Sequence, residues 1–466
     1  MCGILAGQST ESLGHRGPDA YSELRVGSVR LAFWRLAING LSGGMQPFQL
    51  DEKFLIANAE IYNHEELGGI KGRSDCEVLL PLIQKHGLLA TCQMIVGDFA
   101  FIITDGTNLW AARDRFGVRP LFYTRSPLAF ASEAKVLVGK VQHFPPGHLW
   151  DSGRFVSWER NYWDAPNKSL NTRQLFPLMV QAVQRRISNS EVPIGFFLSG
   201  GLDSSIVAAI AKHLTKTRIR TFSIGLKGAP DLIAARQMAT FLDSDHTEII
   251  FSPEDGLAVI EDVIWHLESY DTTTVRASIP MFLLSKYIKE QTDIRVVLSG
   301  EGSDEIFGGY LYFHGAPDVK VFAKETERLV NDVYMFDVLR ADRTTSAHGI
   351  ELRVPFFDTT LVDYVMGGFD PELKMPKDGY EKHLLRKTFE HILPRDIAWR
   401  QKNGMSDAVG YEWRKALQTF GEHNYKRIFE EKFGDQHHLI PYMWMPKWTD
   451  ATDPSATQLK YFTCAS

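Results

Sequence analysis

The chain has 466 residues, 44% hydrophobic and 23% charged, which is enough apolar material for large buried cores in two or three ordinary globular domains. A net charge of -6, with lysine and arginine scattered along the chain, excludes a basic face for nucleic acid. No apolar run approaches the roughly 20 residues of a membrane span, and the N-terminus lacks a secretion signal, so a cytoplasmic protein without membrane partners is expected.

In chain order, Cys2 comes first. Removing Met1 would set a free α-amine, with a pKa of about 8, beside a thiol whose proton it can take, the logic of an N-terminal nucleophile. Up to about Trp163 the chain then reads as short apolar runs (54–57, 99–103, 109–112) broken by Gly, Asn and Asp, with one helical stretch at 76–86; this predicts layers of sheet covered by helix. Asn58-Ala59-Glu60-Ile61-Tyr62-Asn63 follows a strand, where an amide side chain and a main-chain N–H make a two-donor hole for an oxyanion. The same run also suits a turn in which Asn58 bonds its own backbone. Arg35, Glu60 and Asp75 supply one cation and two anions, the complement of a free amino acid, although each alone also suits a surface ion pair. The four cysteines, Cys2, Cys76, Cys92 and Cys464, show neither metal-site spacing nor the density of a disulfide framework.

Residues 164–173, polar and containing Pro166, read as a linker between domains at 2–165 and 174–466. Beyond it, helical patterns (175–187, 257–267, 280–289) alternate with β-branched runs (221–224, 295–298), predicting a parallel sheet with helices on its faces and ligands at its strand ends. A strand over 194–198 leads into Ser199-Gly200-Gly201-Leu202-Asp203-Ser204-Ser205, and a helix over 206–214 leads out. Small residues there let main-chain N–H groups and hydroxyls close on an anion at the positive end of the helix. No Gly-Lys-Ser or Gly-Lys-Thr occurs, so the turn is expected to grip a leaving pyrophosphate rather than present a γ-phosphate. A second turn, Ser299-Gly300-Glu301-Gly302-Ser303-Asp304-Glu305, ends the strand at 295–298. Asp203 and Asp304 together would cage magnesium, whereas Asp304 and Glu305 could equally serve as acids at a helix start. From about Asp318 the pattern is mostly helical.

Met1-Cys2-Gly3-Ile4, His15-Arg16-Gly17-Pro18-Asp19, Arg113-Asp114-Arg115-Phe116-Gly117, the two glycine turns, Trp399-Arg400-Gln401-Lys402, Met445-Pro446-Lys447-Trp448 and Ala451-Thr452-Asp453-Pro454-Ser455-Ala456 occur in one order over nearly the whole chain. In this they closely resemble the glutamine-dependent asparagine synthetase family. The resemblance implies a two-domain α/β and α+β architecture: an N-terminal nucleophile αββα sandwich, then a parallel-sheet ATP pyrophosphatase domain with a helical C-terminal part. It implies that Cys2 attacks the glutamine carboxamide, that Asn58 and the N–H of Ala59 stabilise the oxyanion, and that Arg35, Glu60 and Asp75 bind glutamine. It further implies that aspartate is activated by ATP as a β-aspartyl adenylate and captured by the released ammonia, giving asparagine, AMP and pyrophosphate.

By the same resemblance Leu198, Ser199, Ile224, Ser299 and Gly300 would contact AMP, and Gly200, Gly201, Ser204 and Ser205 would cradle pyrophosphate. Lys402 would neutralise the leaving charge, although a lysine there also suits an exposed loop. Thr273, Thr274, Arg276 and Asp337 would lie near aspartate, Glu301 would take the ammonia proton, and Asp203 and Asp304 would hold Mg2+. A homodimer is compatible with it, as is an ammonia passage lined by small and apolar side chains. Two departures stand out. Ala59 replaces the glycine usual in the family, at an expected cost of about 1 kcal/mol and a slower glutaminase if its φ is positive. Only seven residues separate Gly7 from His15, where longer members carry a helix. Rival readings are a lactam-forming synthetase, against which Cys2 and Glu301 count; an amidohydrolase with an inert second half, which leaves Asp203, Asp304 and Lys402 unexplained; and a noncatalytic partner-binding relic.

Overall fold

A computed structural model describes residues 1–9, 11–158, 171–401, 411–441 and 445–452; most of the expected linker, and Lys402, lie outside them. The N-terminal strands are β1 (Gly3–Ala6), β2 (Ala20–Val26), β3 (Val29–Arg35), β4 (Phe48–Leu50), β5 (Lys53–Ile61), β6 (Gly97–Thr104), β7 (Leu109–Arg113), β8 (Phe122–Arg125), β9 (Leu128–Ala131), β10 (Gln142–His143), β11 (His148–Asp151) and β12 (Arg154–Ser157). They form two six-stranded antiparallel sheets, ordered β10-β8-β9-β1-β3-β2 and β12-β11-β7-β6-β5-β4.

The period of two along a strand sorts β5 between layers. Leu55, Ala57, Ala59 and Ile61 face a core shared with helix α1 (Leu79–His86), to which Cys92 of helix α2 (Leu88–Met94) adds, while Ile56 faces the core between the two sheets with Ile4, Phe33, Ile102 and Phe130. Asn58 and Glu60 share the parity of Ile56, so they emerge on the side where β1, and Cys2 just before it, lies. The outer face of the other sheet is covered by Leu13, a 3-10 turn at Ala134–Val136, Val141 and, from the far end of the chain, Leu439. The shortened 7–15 segment supplies no helix to that face among the described residues.

The second half carries α3 (Leu175–Ser188), β13 (Ile194–Phe197), α4 (Leu202–Leu214), β14 (Arg220–Gly225), α5 (Pro230–Leu242), β15 (Asp245–Ile250), α6 (Pro253–Ala258), α7 (Ile260–Leu267), α8 (Thr272–Gln291), β16 (Val296–Leu298), α9 (Ser303–Phe307), α10 (Val319–Asp332), α11 (Asp337–Ser346) and β17 (Glu351–Arg353). Its five strands are parallel in the order β15-β14-β13-β16-β17, so the two strands that end in glycine turns are neighbours, with Phe196 beside Leu298.

Three details differ from the sequence pattern. The helix expected at 280–289 begins eight residues earlier, with Pro280 inside it: Asp271 caps its start by accepting the Thr274 N–H, so the helix is nucleated upstream of the proline. The stretch 257–267 is split at Val259 into α6 and α7. The segment after Asp318 contributes an edge strand, β17, too short to announce itself amid helices.

The halves join through one core in which Met1, Leu36, Ile38, Phe116 and Val118 pack with α3, α4 and the parallel sheet. Around this apolar seam, where small and apolar side chains were expected, buried charges are numerous. Arg16 donates to Glu133 in its own domain and to Asp342 and Ser346 across the boundary. Arg343 pairs with Glu133 at 2.7 Å, and Glu268 accepts the N–H groups of Ala134 and Lys135. Each ion has an opposite partner, the condition under which burying charge is tolerated.

Candidate active sites

Cys2 opens the central strand of its sheet. Its thiol accepts the Leu36 N–H at 3.5 Å, and burial pushes its pKa up. Its own main-chain N–H donates to Asn58 Oδ1 at 3.0 Å. Asn58 is 1% exposed, and with its oxygen thus engaged, its Nδ2 is a buried donor with no hydrogen-bond partner. Such a group costs about 1–3 kcal/mol unless something accepts from it, and its oxygen is bonded to the main chain of the residue that carries the thiol. Met1 precedes the thiol, 1% exposed, with its ammonium 3.2 Å from Glu351. Burial opposes the charge on Glu351, but the Met1 ammonium, Arg119 and Arg353 hold its carboxyl well below the usual range. Activation by a Cys2 amine therefore requires that Met1 be removed.

Ala59 lies inside β5 opposite Phe99, and its φ is not positive. The expected strain is absent because an extended strand accepts any side chain, and the alanine methyl enters the core beneath α1.

Glu60 and Asp75, 4% and 3% exposed, are drawn together. Asn189 donates through Nδ2 to Glu60 Oε2 at 2.7 Å and to Asp75 Oδ2 at 3.2 Å. Glu60 Oε2 also accepts from Asn39 and Arg353, and Asp75 Oδ2 accepts the Ile61 N–H. Burial raises both carboxyls, against the pull of Arg353. Arg35 flanks the same loop. Its guanidinium donates to Gly40 O at 2.8 Å, and a Cβ on Gly44 would lie 3.3 Å from that group and 3.1 Å from Ser74, the neighbour of Asp75.

In the other half, Ser199 and Ser204 hydroxyls meet at 3.1 Å, and the Gly201 N–H donates to Ser199 Oγ. Ser205 Oγ is buried without a partner. Gly200 has φ +70°, and a Cβ there would come within 2.3 Å of Ala234 backbone, so only glycine fits. Leu198 bonds back to Phe222 of β14, whose end carries Ile224, while the Ser299 N–H donates to Arg353 O. The two turns touch: a Cβ on Gly300 would strike Asp203 and the Ser204 nitrogen at 2.8 Å, and Ser303 Oγ donates to Asp203 Oδ1 at 2.7 Å.

Asp203 and Asp304 do converge on one cation, but that cation is Lys382. Its Nζ lies 2.6 Å from Asp203 Oδ2 and 2.7 Å from Asp304 Oδ1, and the two carboxylates hold the buried ammonium's pKa above its ordinary value. Among the described residues no group of three or more His, Cys, Asp or Glu side chains is arranged to hold a metal. Two carboxylates meeting at one point are nonetheless a hard-oxygen pair of the kind magnesium takes when phosphate and water complete its shell.

A second acidic cluster adjoins the turns. Arg340 donates to Glu301 Oε2 at 3.0 Å and to Asp337 Oδ1 at 2.6 Å, and Tyr310 bridges Glu305 and Asp337. Burial raises the carboxyls of Glu301 and Glu305. Thr273, Thr274 and Arg276 stand on the first turn and a half of α8, which packs on α11. Thr274 is committed to Asp271, and among the described residues no hydrogen bond joins these three to Asp337. Sequence reasoning missed Asn39, Asn189, Tyr310, Arg340, Arg353 and Lys382. None lies in either phosphate-type turn or a dense motif; for Arg340, Arg353 and Lys382 the signal is charge balance, since two acids at one point need a cation, whereas the neutral donors Asn39, Asn189 and Tyr310 carry no such signal.

Fold and sites together define a glutamine amidotransferase half joined to a ligase half. A glutamine amidotransferase domain model matches residues 4–149, and the asparagine synthase model matches 174–325 and 316–438. The chain is 39% identical over 542 positions to the glutamine-hydrolysing asparagine synthetase of Bos taurus, covering 98% of this chain and 96% of that one. It is 40% identical over 538 positions to that of Rattus norvegicus (97% and 96%) and 40% over 545 positions to that of Gallus gallus (98% and 96%). The chain belongs to the asparagine synthase family, and it is a ligase that uses glutamine.

Proposed function

We propose that this protein makes L-asparagine from L-aspartate, with ATP as the activating substrate and glutamine as the nitrogen source. Asn58 carries the reading: a buried amide donor without a partner, locked beside a thiol at the start of the chain. After Met1 is removed, the Cys2 amine takes the thiol proton and the sulfur attacks the glutamine carboxamide carbon. Asn58 Nδ2 and the Ala59 N–H receive the oxyanion, the C–N bond breaks to release ammonia, and water cleaves the thioester to glutamate. Arg35 binds the glutamine carboxylate, and Glu60 with Asp75 its ammonium.

In the second half the β-carboxylate of aspartate attacks the α-phosphorus of ATP and pyrophosphate leaves. Leu198, Ser199, Ile224, Ser299 and Gly300 line the AMP portion, and Gly200, Gly201, Ser204 and Ser205, with the N-terminus of α4, grip the departing pyrophosphate. Asp203 and Asp304 would hold magnesium, which when bound neutralises phosphate charge. Lys382, and Lys402 outside the described residues, supply protein cations there. Thr273, Thr274, Arg276 and Asp337 are the proposed aspartate contacts. Ammonia attacks the acyl carbon, AMP leaves, and Glu301, its carboxyl pKa raised by burial, accepts the proton.

The test supplies ATP, magnesium, aspartate and either glutamine or ammonium. Equal amounts of AMP, pyrophosphate and asparagine are expected from both donors. Cys2→Ala should abolish the glutamine-driven reaction and spare the ammonium-driven one, whereas Lys382→Met should cost both. Loss of both reactions in folded Cys2→Ala would overturn the division of labour.

A further inference from the structure

Asn189 ends α3, a helix of the ligase half, yet its side chain works in the other domain. It is 7% exposed and fixed at both ends of its peptide: its N–H donates to Arg185 O at 3.3 Å, and its carbonyl accepts from Arg353 at 2.8 Å. Its single NH2 group spans the two buried carboxylates proposed above for the glutamine ammonium. Among the described residues, the side-chain hydrogen bonds that Glu60 accepts fall on Oε2, from Asn39, Asn189 and Arg353.

A neutral amide is suited to this task for a physical reason. Two buried carboxylates that both reach one nitrogen repel each other, and a bridging NH2 holds them in place with two hydrogen bonds while adding no charge. Arg353 already supplies one positive charge to Glu60, so a neutral bridge leaves the pair one net negative charge for an incoming ammonium, which a second cation would cancel. A lysine in that position would satisfy the acids and fill the site, and an aspartate would add a third negative charge.

We propose that Asn189 is a positioning residue for glutamine, supplied by the ligase domain: it sets the spacing and orientation of Glu60 and Asp75 so that together they bind the α-ammonium. The glutamine pocket is thus finished only when the second domain docks. This rests on the reading of Glu60 and Asp75 as the ammonium site.

The experiment uses the full-length enzyme and measures glutamine KM and kcat, with ammonium-driven synthesis in the same preparations as the check on folding. Asn189→Ala should raise the glutamine KM about tenfold with kcat changed less than about twofold, since charge-assisted hydrogen bonds are lost but the nucleophile is untouched. Asn189→Asp should raise it further, and ammonium-driven synthesis should stay at the parental rate in both. Glu60→Gln and Asp75→Asn serve as controls. If they raise KM while Asn189→Ala leaves it parental, the proposal falls and the ammonium site stands. If none of the four variants raises KM, the assignment of the site itself fails. An Asn189→Asp effect no larger than that of Ala, or loss of the ammonium-driven reaction along with the glutamine-driven one, would show that Asn189 merely packs the interface and would overturn the role.

Discussion

Asn58 is bonded through its oxygen to the Cys2 N–H while its buried nitrogen has no partner, and a mutation tests the oxyanion role proposed for that nitrogen. Asn58→Ala removes one oxyanion donor and is expected to lower glutamine hydrolysis about 100- to 1,000-fold, with ammonium-driven synthesis unchanged, as read by glutamate release. At the same scale the motif residues divide into chemistry and scaffolding. Asp114 accepts the N–H groups of Phe99, Phe116, Val118 and Arg119, and Arg113 donates to three carbonyls, so these two residues of the dense motif build the loop that meets the second domain. Motif density in the sequence marked both kinds of residue alike, because each is constrained, one by chemistry and the other by buried hydrogen bonds.

At the scale of elements, β5 decides what the glutaminase can be. Alternation places Asn58 and Glu60 toward the thiol and Ala59 toward the helical layer, so the alanine is a packing residue in extended backbone. Ala59→Gly should therefore destabilise by about 0.5–1 kcal/mol through the entropy of a strand glycine, lowering Tm, without raising kcat for glutamine. A faster glutaminase in that variant would restore the view that the alanine is a handicap. The phosphate turns behave oppositely, since Gly200 combines φ +70° with a backbone neighbour at 2.3 Å from any added Cβ. The strand-turn-helix pattern was legible because it is local. The split at Val259 and the start of α8 were not, because a cap and a proline compete and only the packed helix shows which prevails.

Across the whole molecule the two halves are joined by one apolar core ringed by buried ion pairs, and several buried histidines are kept neutral. Burial lowers the pKa of His143 and His348 from the ordinary 6.5 to about 4, and that of His266 to about 2. His143 packs on Phe122 and on Tyr334 with Arg113, Arg343 and His438 nearby; His266 meets His15, Trp265, Phe282, Lys135, Glu133 and His348; His348 meets Phe282 edge to face with Lys286, Lys289 and His15 nearby. These histidines bind fewer protons in the folded state than in the unfolded chain between about pH 4 and 6.5, so their contribution to stability rises with pH across that window and is lost as pH falls through it, while the buried carboxyls of Glu60, Asp75, Glu301 and Glu305, raised by burial, act with the opposite sign. When Tm is measured from pH 7.5 down, the stability of His348→Phe, which keeps a ring against Phe282, should rise relative to the parent as pH falls below about 6.5. An unchanged slope would remove His348 from that account.

The sequence by itself determined the two grammars of the chain, the thiol at its start, both glycine turns and the order of motifs, since each is written in neighbouring residues by periodicity, turn chemistry or spacing. Only tertiary structure decided that Lys382 stands between Asp203 and Asp304, that Asn189 bridges Glu60 and Asp75 from 129 and 114 positions away, and that Ala59 is unstrained. Those facts depend on how strands align and domains dock, and a buried charge finds its partner by position in space, for which local sequence carries no record.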